Sequence, residues 1–146
     1  MFMFRSWKLG AWSMIPNILP LLALGGYLGF FWDKVDSDTI IIGMIAIGVS
    51  VDDTIHFLSR LRFESTRSID SDTALKRTFH FSGRAMVTTT IILVAGFMPL
   101  ALSDYFSIRI FGTLLPFTLV VAILADILLV PALVKLGVIR FPYSVK

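Results

Sequence analysis

The chain has 146 residues, 56% of them hydrophobic and 16% charged, too oily a balance for an ordinary soluble domain of this length. It contains no cysteine, which excludes disulfides and thiol catalysis. The formal net charge of +3 is not a nucleic-acid signature, because the basic residues sit in loops between apolar runs.

In chain order, the opening Met1-Phe2-Met3-Phe4 is apolar but too short to span a bilayer. Arg5 and Lys8 precede an uncharged run over residues 10–32. That run carries Pro16 and Pro20 and is longer than the apolar region of a signal peptide. Residues 39–51 are again uncharged. Asp52 and Asp53 follow, and the apolar run then resumes to Ser59. A longer connection, 60–83, comes next. Within it Ser71 caps a short helix through Lys76 and His80, with Leu75 and Phe79 on one side, and Gly83 breaks it. Residues 85–103 are uncharged, and between residues 110 and 134 the only charge is Asp126. About 20 residues at 1.5 Å rise cross a hydrocarbon core. These runs predict an all-α polytopic membrane helix bundle. It is one transmembrane domain over 1–146, with spans near 10–32, 39–59, 85–103 and 110–134 and a short cytoplasmic surface helix.

Four spans place both ends of the chain on one side. The ends and the central loop hold Arg5, Lys8, Arg60, Arg62, Arg67, Lys76, Arg77, Arg84, Lys135, Arg140 and Lys146, whereas the two opposite loops hold only Lys34 and Arg109. By the positive-inside rule both termini are cytoplasmic, in a multi-pass protein of the cell's inner (plasma) membrane. A soluble alternative would make Asp52 a helix cap and 40–49 a buried strand. It leaves three other runs of membrane length and the charge asymmetry unexplained.

Asp52 and Asp53 lie about eight residues before Arg60, on the order of 12 Å inside the cytoplasmic end. An aspartate is too short to reach water from there, and a charge costs several kcal/mol unless neutralised, paired or hydrated. Such a group belongs on the bundle interior, where a proton switches its charge. Gly43, Ala46, Ser50 and Asp53 recur at helical spacing on one face. Small residues let another helix approach closely, so this is a packing seam. Asp52 and His56, four residues apart, share a neighbouring face. His56 is either a partner that titrates with Asp52 or a satisfied polar residue near the interface. Thr88, Thr89 and Thr90 and, on the last span, Asp126 fall within roughly one turn of the same depth. Asp126 is either a second relay group or a polar anchor near Pro131. A polar layer across three helices is what a proton relay requires.

Gly48-Val-Ser-Val-Asp-Asp-Thr-Ile-His-Phe-Leu-Ser-Arg-Leu-Arg62 resembles the acidic-helix motif of the resistance-nodulation-division superfamily, in particular its MMPL-type, sterol-sensing-domain-like exporters. The likeness continues through Asn17-Ile-Leu-Pro20, Asp72-Thr-Ala-Leu75, Gly83-Arg-Ala-Met-Val-Thr-Thr-Thr90, Ala95-Gly-Phe-Met-Pro-Leu100, Phe111-Gly112 and Leu124-Ala-Asp-Ile-Leu-Leu-Val-Pro-Ala-Leu133. It covers nearly the whole chain, in order.

The resemblance implies proton-motive-force-driven export of hydrophobic or amphiphilic molecules. Asp52 and Asp53 would be the proton carriers and Thr89 the relay threonine. His56 stands in the motif without an assigned role. The family is built from two six-helix repeats with large extracytoplasmic insertions. This chain resembles the last four helices of one repeat, with the second repeat the better match. The partners implied are therefore the lipid bilayer, the other half of a transporter in the same longer chain or a separate subunit, further copies of the chain, and a hydrophobic substrate. Alternatives are a lipid- or sterol-sensing module without transport and an inactive truncated fragment. An enzyme is not expected, since the sequence offers no nucleophile–base pair and no glycine-rich phosphate loop. No cofactor is called for. His56 and Asp52 make only two of the three or four ligands of a zinc site. Asp52 or Asp53 with Asp126 could imitate a di-aspartyl protease, but the surrounding residues match the exporter pattern.

Overall fold

The computed structural model describes residues 14–31, 36–67 and 70–136. The opening apolar tetrapeptide, the first residues of the first predicted span, Lys34, Arg140 and Lys146 lie outside them. The described chain is all-helical. Helix α1 is Ile15–Phe31, α2 Ser37–Ser65, α3 Ser71–Thr78, α4 Arg84–Phe97 and α5 Phe106–Lys135. A π-helical turn, Phe79–Gly83, joins α3 to α4, and a 3-10 turn, Met98–Leu102, ends α4. Three continuous helices are long and apolar enough to cross a membrane: Ser37–Ser65, Asp72–Leu102 and Phe106–Lys135. Helix α1 is a shorter apolar helix. Pro16 sits in its first turn, where the missing N–H has no intrahelical partner to lose.

The outer surface is oily. Leu22, Met44, Ile91, Ile92, Leu124 and Leu128 all stand out from the bundle. Such a surface is normal against lipid tails and a liability in water. Inside, two apolar clusters stack along the bundle. One gathers Leu24 and Leu28 of α1, Ile42 of α2, and Ile110, Leu114, Leu115 and Leu119 of α5. The other joins Phe57, Leu58 and Leu61 of α2 to Ala74 and Leu75 of α3, Met86 of α4, and Ile123, Val130 and Val134 of α5. Lipid tails are as apolar as leucine, so in a bilayer these clusters hold through close packing rather than flight from water. Ala46 and Ser50 are fully buried. A Cβ added at Gly43 would sit 3.7 Å from Leu21 and Leu24, so the seam of small residues on α2 receives α1.

Four boundaries differ from the sequence expectation. Gly83 does not break the helix. Its backbone stays helical at φ −60°, ψ −40°, and α3 runs on into α4. Buried positions along this stretch are Ala74, Leu75, Thr78, Gly83, Met86 and Thr90. They step by three or four residues except from 78 to 83, where the wider π turn brings the apolar faces of α3 and α4 back into phase. Gly83 is needed there for closeness, since a Cβ would meet Phe79 Cδ1 at 3.1 Å. Helix α2 runs past Ser59 to Ser65, because Leu61 is buried in the core and Arg60 Nη2 holds Glu64 Oε1 at 2.7 Å one turn on. Glu64 is itself buried and lies 4.0 Å from Arg77 Nη1 of α3, which ties the two helices together. Finally, α5 starts at Phe106, so Arg109 is helical rather than in a loop. Asp70 occupies the cap position of α3 and Ser71 begins the helix.

Candidate functional site

Between the two apolar clusters lies a buried polar layer. Asn17 (α1), Ser50 and Thr54 (α2) and Asp126 (α5) are each at most 3% exposed. Ser50 Oγ donates to Asn17 Oδ1 at 2.6 Å. Thr54 Oγ1 lies 3.0 Å from Asn17 Oδ1 and 2.7 Å from Asp126 Oδ1. A hydroxyl has one proton, so Thr54 can donate to only one of these two oxygens at a time. A proton on Asp126 Oδ1 would complete the chain, with Asp126 donating to Thr54 and Thr54 donating to Asn17. The other carboxyl oxygen, Asp126 Oδ2, is buried without a hydrogen-bond partner among the described residues. An orphaned carboxylate oxygen in an apolar interior is costly, and neutralisation by a proton is the cheapest relief.

The remaining predicted residues divide around this layer. Gly43, Ala46 and Ser50 are buried on the α1-facing seam, but the next member of that seam is Thr54, a full turn after Ser50, and Asp53 stands half-buried beside it. Asp52 and His56 point away from the bundle. His56 Nε2 lies 3.5 Å from Asp52 Oδ1, with the two side chains 71% and 72% exposed. Thr89 is exposed, and its hydroxyl lies 3.1 and 2.9 Å from the carbonyls of Ala85 and Met86 on its own helix, either of which can accept its proton. Thr88 donates to Arg84 O at 2.9 Å, and the inward-facing member of the threonine run is Thr90. Asp126 therefore joins the interior, Asp53 borders it, and Asp52, His56 and Thr89 lie on outer faces of this chain. No group of three or more His, Cys, Asp or Glu that could hold a metal ion occurs among the described residues.

Asn17 and Thr54 were not candidate site residues from the sequence. Both left a signal. Asn17 is the one amide in an otherwise apolar run, set between Pro16 and Pro20. Thr54 follows Ser50 at the four-residue step that keeps one face of a helix.

The architecture is that of a polytopic membrane protein with a polar layer buried in its helical core. The chain belongs to the MMPL family, whose sequence model matches residues 28–142. It is similar to the trehalose monomycolate exporter MmpL3 of Mycolicibacterium smegmatis, with 29% identity over 132 residues, covering 86% of this chain and 13% of that protein. It is also similar to the membrane protein MJ1562 of Methanocaldococcus jannaschii, with 28% identity over 90 residues, covering 62% of this chain and 23% of that protein. The chain thus spans less than a quarter of the length of these relatives. No solved structure matches it.

Proposed function

We propose that this chain is the transmembrane, proton-handling part of an exporter of hydrophobic or amphiphilic molecules, driven by the proton motive force. The observation that carries the reading is the juxtaposition of acid and polar layer. Half-buried Asp53 adjoins Thr54, whose hydroxyl contacts fully buried Asp126. Two acids on different helices, Asp126 bonded to the Thr54 hydroxyl and Asp53 next to Thr54 in the chain, supply neighbouring groups on which a proton can be held and passed. The M. smegmatis relative, a trehalose monomycolate exporter, supports an amphiphilic lipid as the class of cargo.

In this reading a proton reaches Asp52 and Asp53 from the outer side. Neutralised carboxylates favour a different set of helix contacts, so the bundle repacks, and release toward the cytoplasm resets it. Thr89 and the Asp52–His56 pair, on outer faces of this chain, then meet the other half of the transporter. That half belongs to the same longer chain or to a separate subunit. Both termini lie in the cytoplasm of a cell whose inner membrane holds the protein, in keeping with the basic residues at and around the α2–α3 connection, Arg60, Arg62, Arg67, Lys76 and Arg77.

The test is proton uptake into proteoliposomes containing the protein in its native, assembled form, read with an internal pH dye under an imposed membrane potential. Asp53→Asn and Asp52→Asn should each reduce uptake to the level of empty vesicles. Uptake that survives both substitutions would remove the carboxylates from the mechanism.

A further inference from the structure

The long helix formed by α3, the π turn and α4 carries a feature that lies apart from the acid layer. Between α4 and α5 runs an open groove of about 450 Å³, lined by apolar side chains that include Val87, Ile91 and Ala95 of α4, Met98 of the 3-10 turn, and Leu124 and Ile127 of α5. At its α3 end the groove meets a second depression, which shares Val87 and Ile127 with it and adds His80, Arg84 and Thr88. A third depression continues around Arg84 to Thr89 and Phe81. No carboxylate lines any of the three. Arg84 has no acidic partner among the described residues, whereas its neighbours Arg60 and Arg77 are committed to Glu64. His80 lies within the π turn Phe79–Gly83 and Arg84 directly follows it, and both residues line the same hollow.

The dimensions select the occupant. From Val87 to Met98 the groove follows α4 for about 16 Å, which is half of a hydrocarbon core of about 30 Å. A partner helix crossing the membrane would need a seam twice as long. One leaflet of acyl chain needs this length, with its polar end at the level of Arg84. Basic pockets between helices near a membrane surface are suited to anionic headgroups, and a guanidinium engages a phosphate with two parallel hydrogen bonds.

We propose that the α4–α5 groove binds an anionic glycerophospholipid, with its acyl chain along Val87, Ala95 and Leu124 and its phosphate at Arg84 and His80. The site is distinct from the carboxylates and stands whether or not they carry protons.

Native mass spectrometry of the intact protein released from detergent micelles tests this. Phosphatidylglycerol and phosphatidylcholine of identical acyl chains serve as probes. Phosphatidylglycerol should be retained in preference, and Arg84→Gln should weaken its binding about fivefold, the effect of removing one cation at a membrane surface. Lys135→Gln, at a cation outside the groove, should leave binding unchanged, as should Asp53→Asn. Ala95→Phe, which fills the groove and keeps every charge, should weaken both lipids. Equal retention of the two lipids would overturn the proposal. So would an equal loss from Lys135→Gln, which marks diffuse charge attraction, or unchanged binding in Ala95→Phe, which marks a phosphate site without a tail groove. Monodisperse elution and unchanged helical circular dichroism confirm that each variant is folded.

Discussion

At the scale of single residues, four buried polar side chains meet in one layer, Asn17, Ser50, Thr54 and Asp126. Thr54 is the hinge of that arrangement, since it touches both Asn17 and Asp126 and is fully buried. Replacing it by valine keeps the shape and removes the hydroxyl. Asp126 Oδ1 then loses its one described partner, while Oδ2 already lacks one. Leaving a buried acceptor unsatisfied costs about 1–3 kcal/mol. Thr54→Val is therefore expected to lower the thermal midpoint of the detergent-solubilised protein. The double variant Thr54→Val/Asp126→Leu, with no acceptor left to satisfy, should recover much of the loss. No recovery in the double variant would mean that the layer is not one network. Asp52 and His56 offer a contrast. Their contact of 3.5 Å is largely exposed, so as an isolated pair it contributes little to this chain's stability.

At the scale of elements, the glycines separate into those that set a distance and those that do not. Gly112 of α5 lies under the 3-10 turn, where a Cβ would fall on the backbone of Leu100 and Ala101. Backbone cannot swing aside as a side-chain tip can. Gly112→Ala should therefore push the end of the α4 hairpin off α5, at a cost of about 1–3 kcal/mol or more for overpacking. Gly96 of α4 has open space at its Cβ position, so Gly96→Ala should be neutral or stabilising by up to about 1 kcal/mol through helix propensity. Thermal unfolding of the two variants side by side checks the pair, and equal midpoints would contradict the close approach at Gly112. The π turn belongs to the same scale. It lets an amphipathic segment packed against α2 continue, without a break, into the apolar helix α4.

At the scale of the whole molecule, the question is orientation. The absence of cysteine makes it directly measurable. Single cysteines introduced at Lys76 of α3 and Arg109 of α5 should react with a membrane-impermeant maleimide from opposite sides. Lys76→Cys should label only after the cells are opened and Arg109→Cys in intact cells. The reverse pattern would invert the proposed direction of proton movement.

Much of this protein was legible before any coordinates. Helical class and a multi-pass membrane character follow from run length and charge placement, because a bilayer punishes unpaired backbone and charge so heavily that few patterns survive. The acid pair stands out in the sequence for the same reason. Which acid faces inward was not legible. Gly43, Ala46, Ser50 and Asp53 fit helical spacing, and so do Gly43, Ala46, Ser50 and Thr54, since a period of 3.6 residues cannot choose between steps of three and four. That choice belonged to packing. Helix α1 and helix α5 close on Thr54, and Asn17 reaches in from between its prolines to bond it. The fate of Gly83 was likewise decided by tertiary contact, because glycine ends a helix only where nothing holds the next turn in place. Here Phe79 packs edge-on against Phe57 at 5.0 Å between ring centres, Met86 lies in the same buried cluster, and the helix is held on both sides of the residue expected to break it.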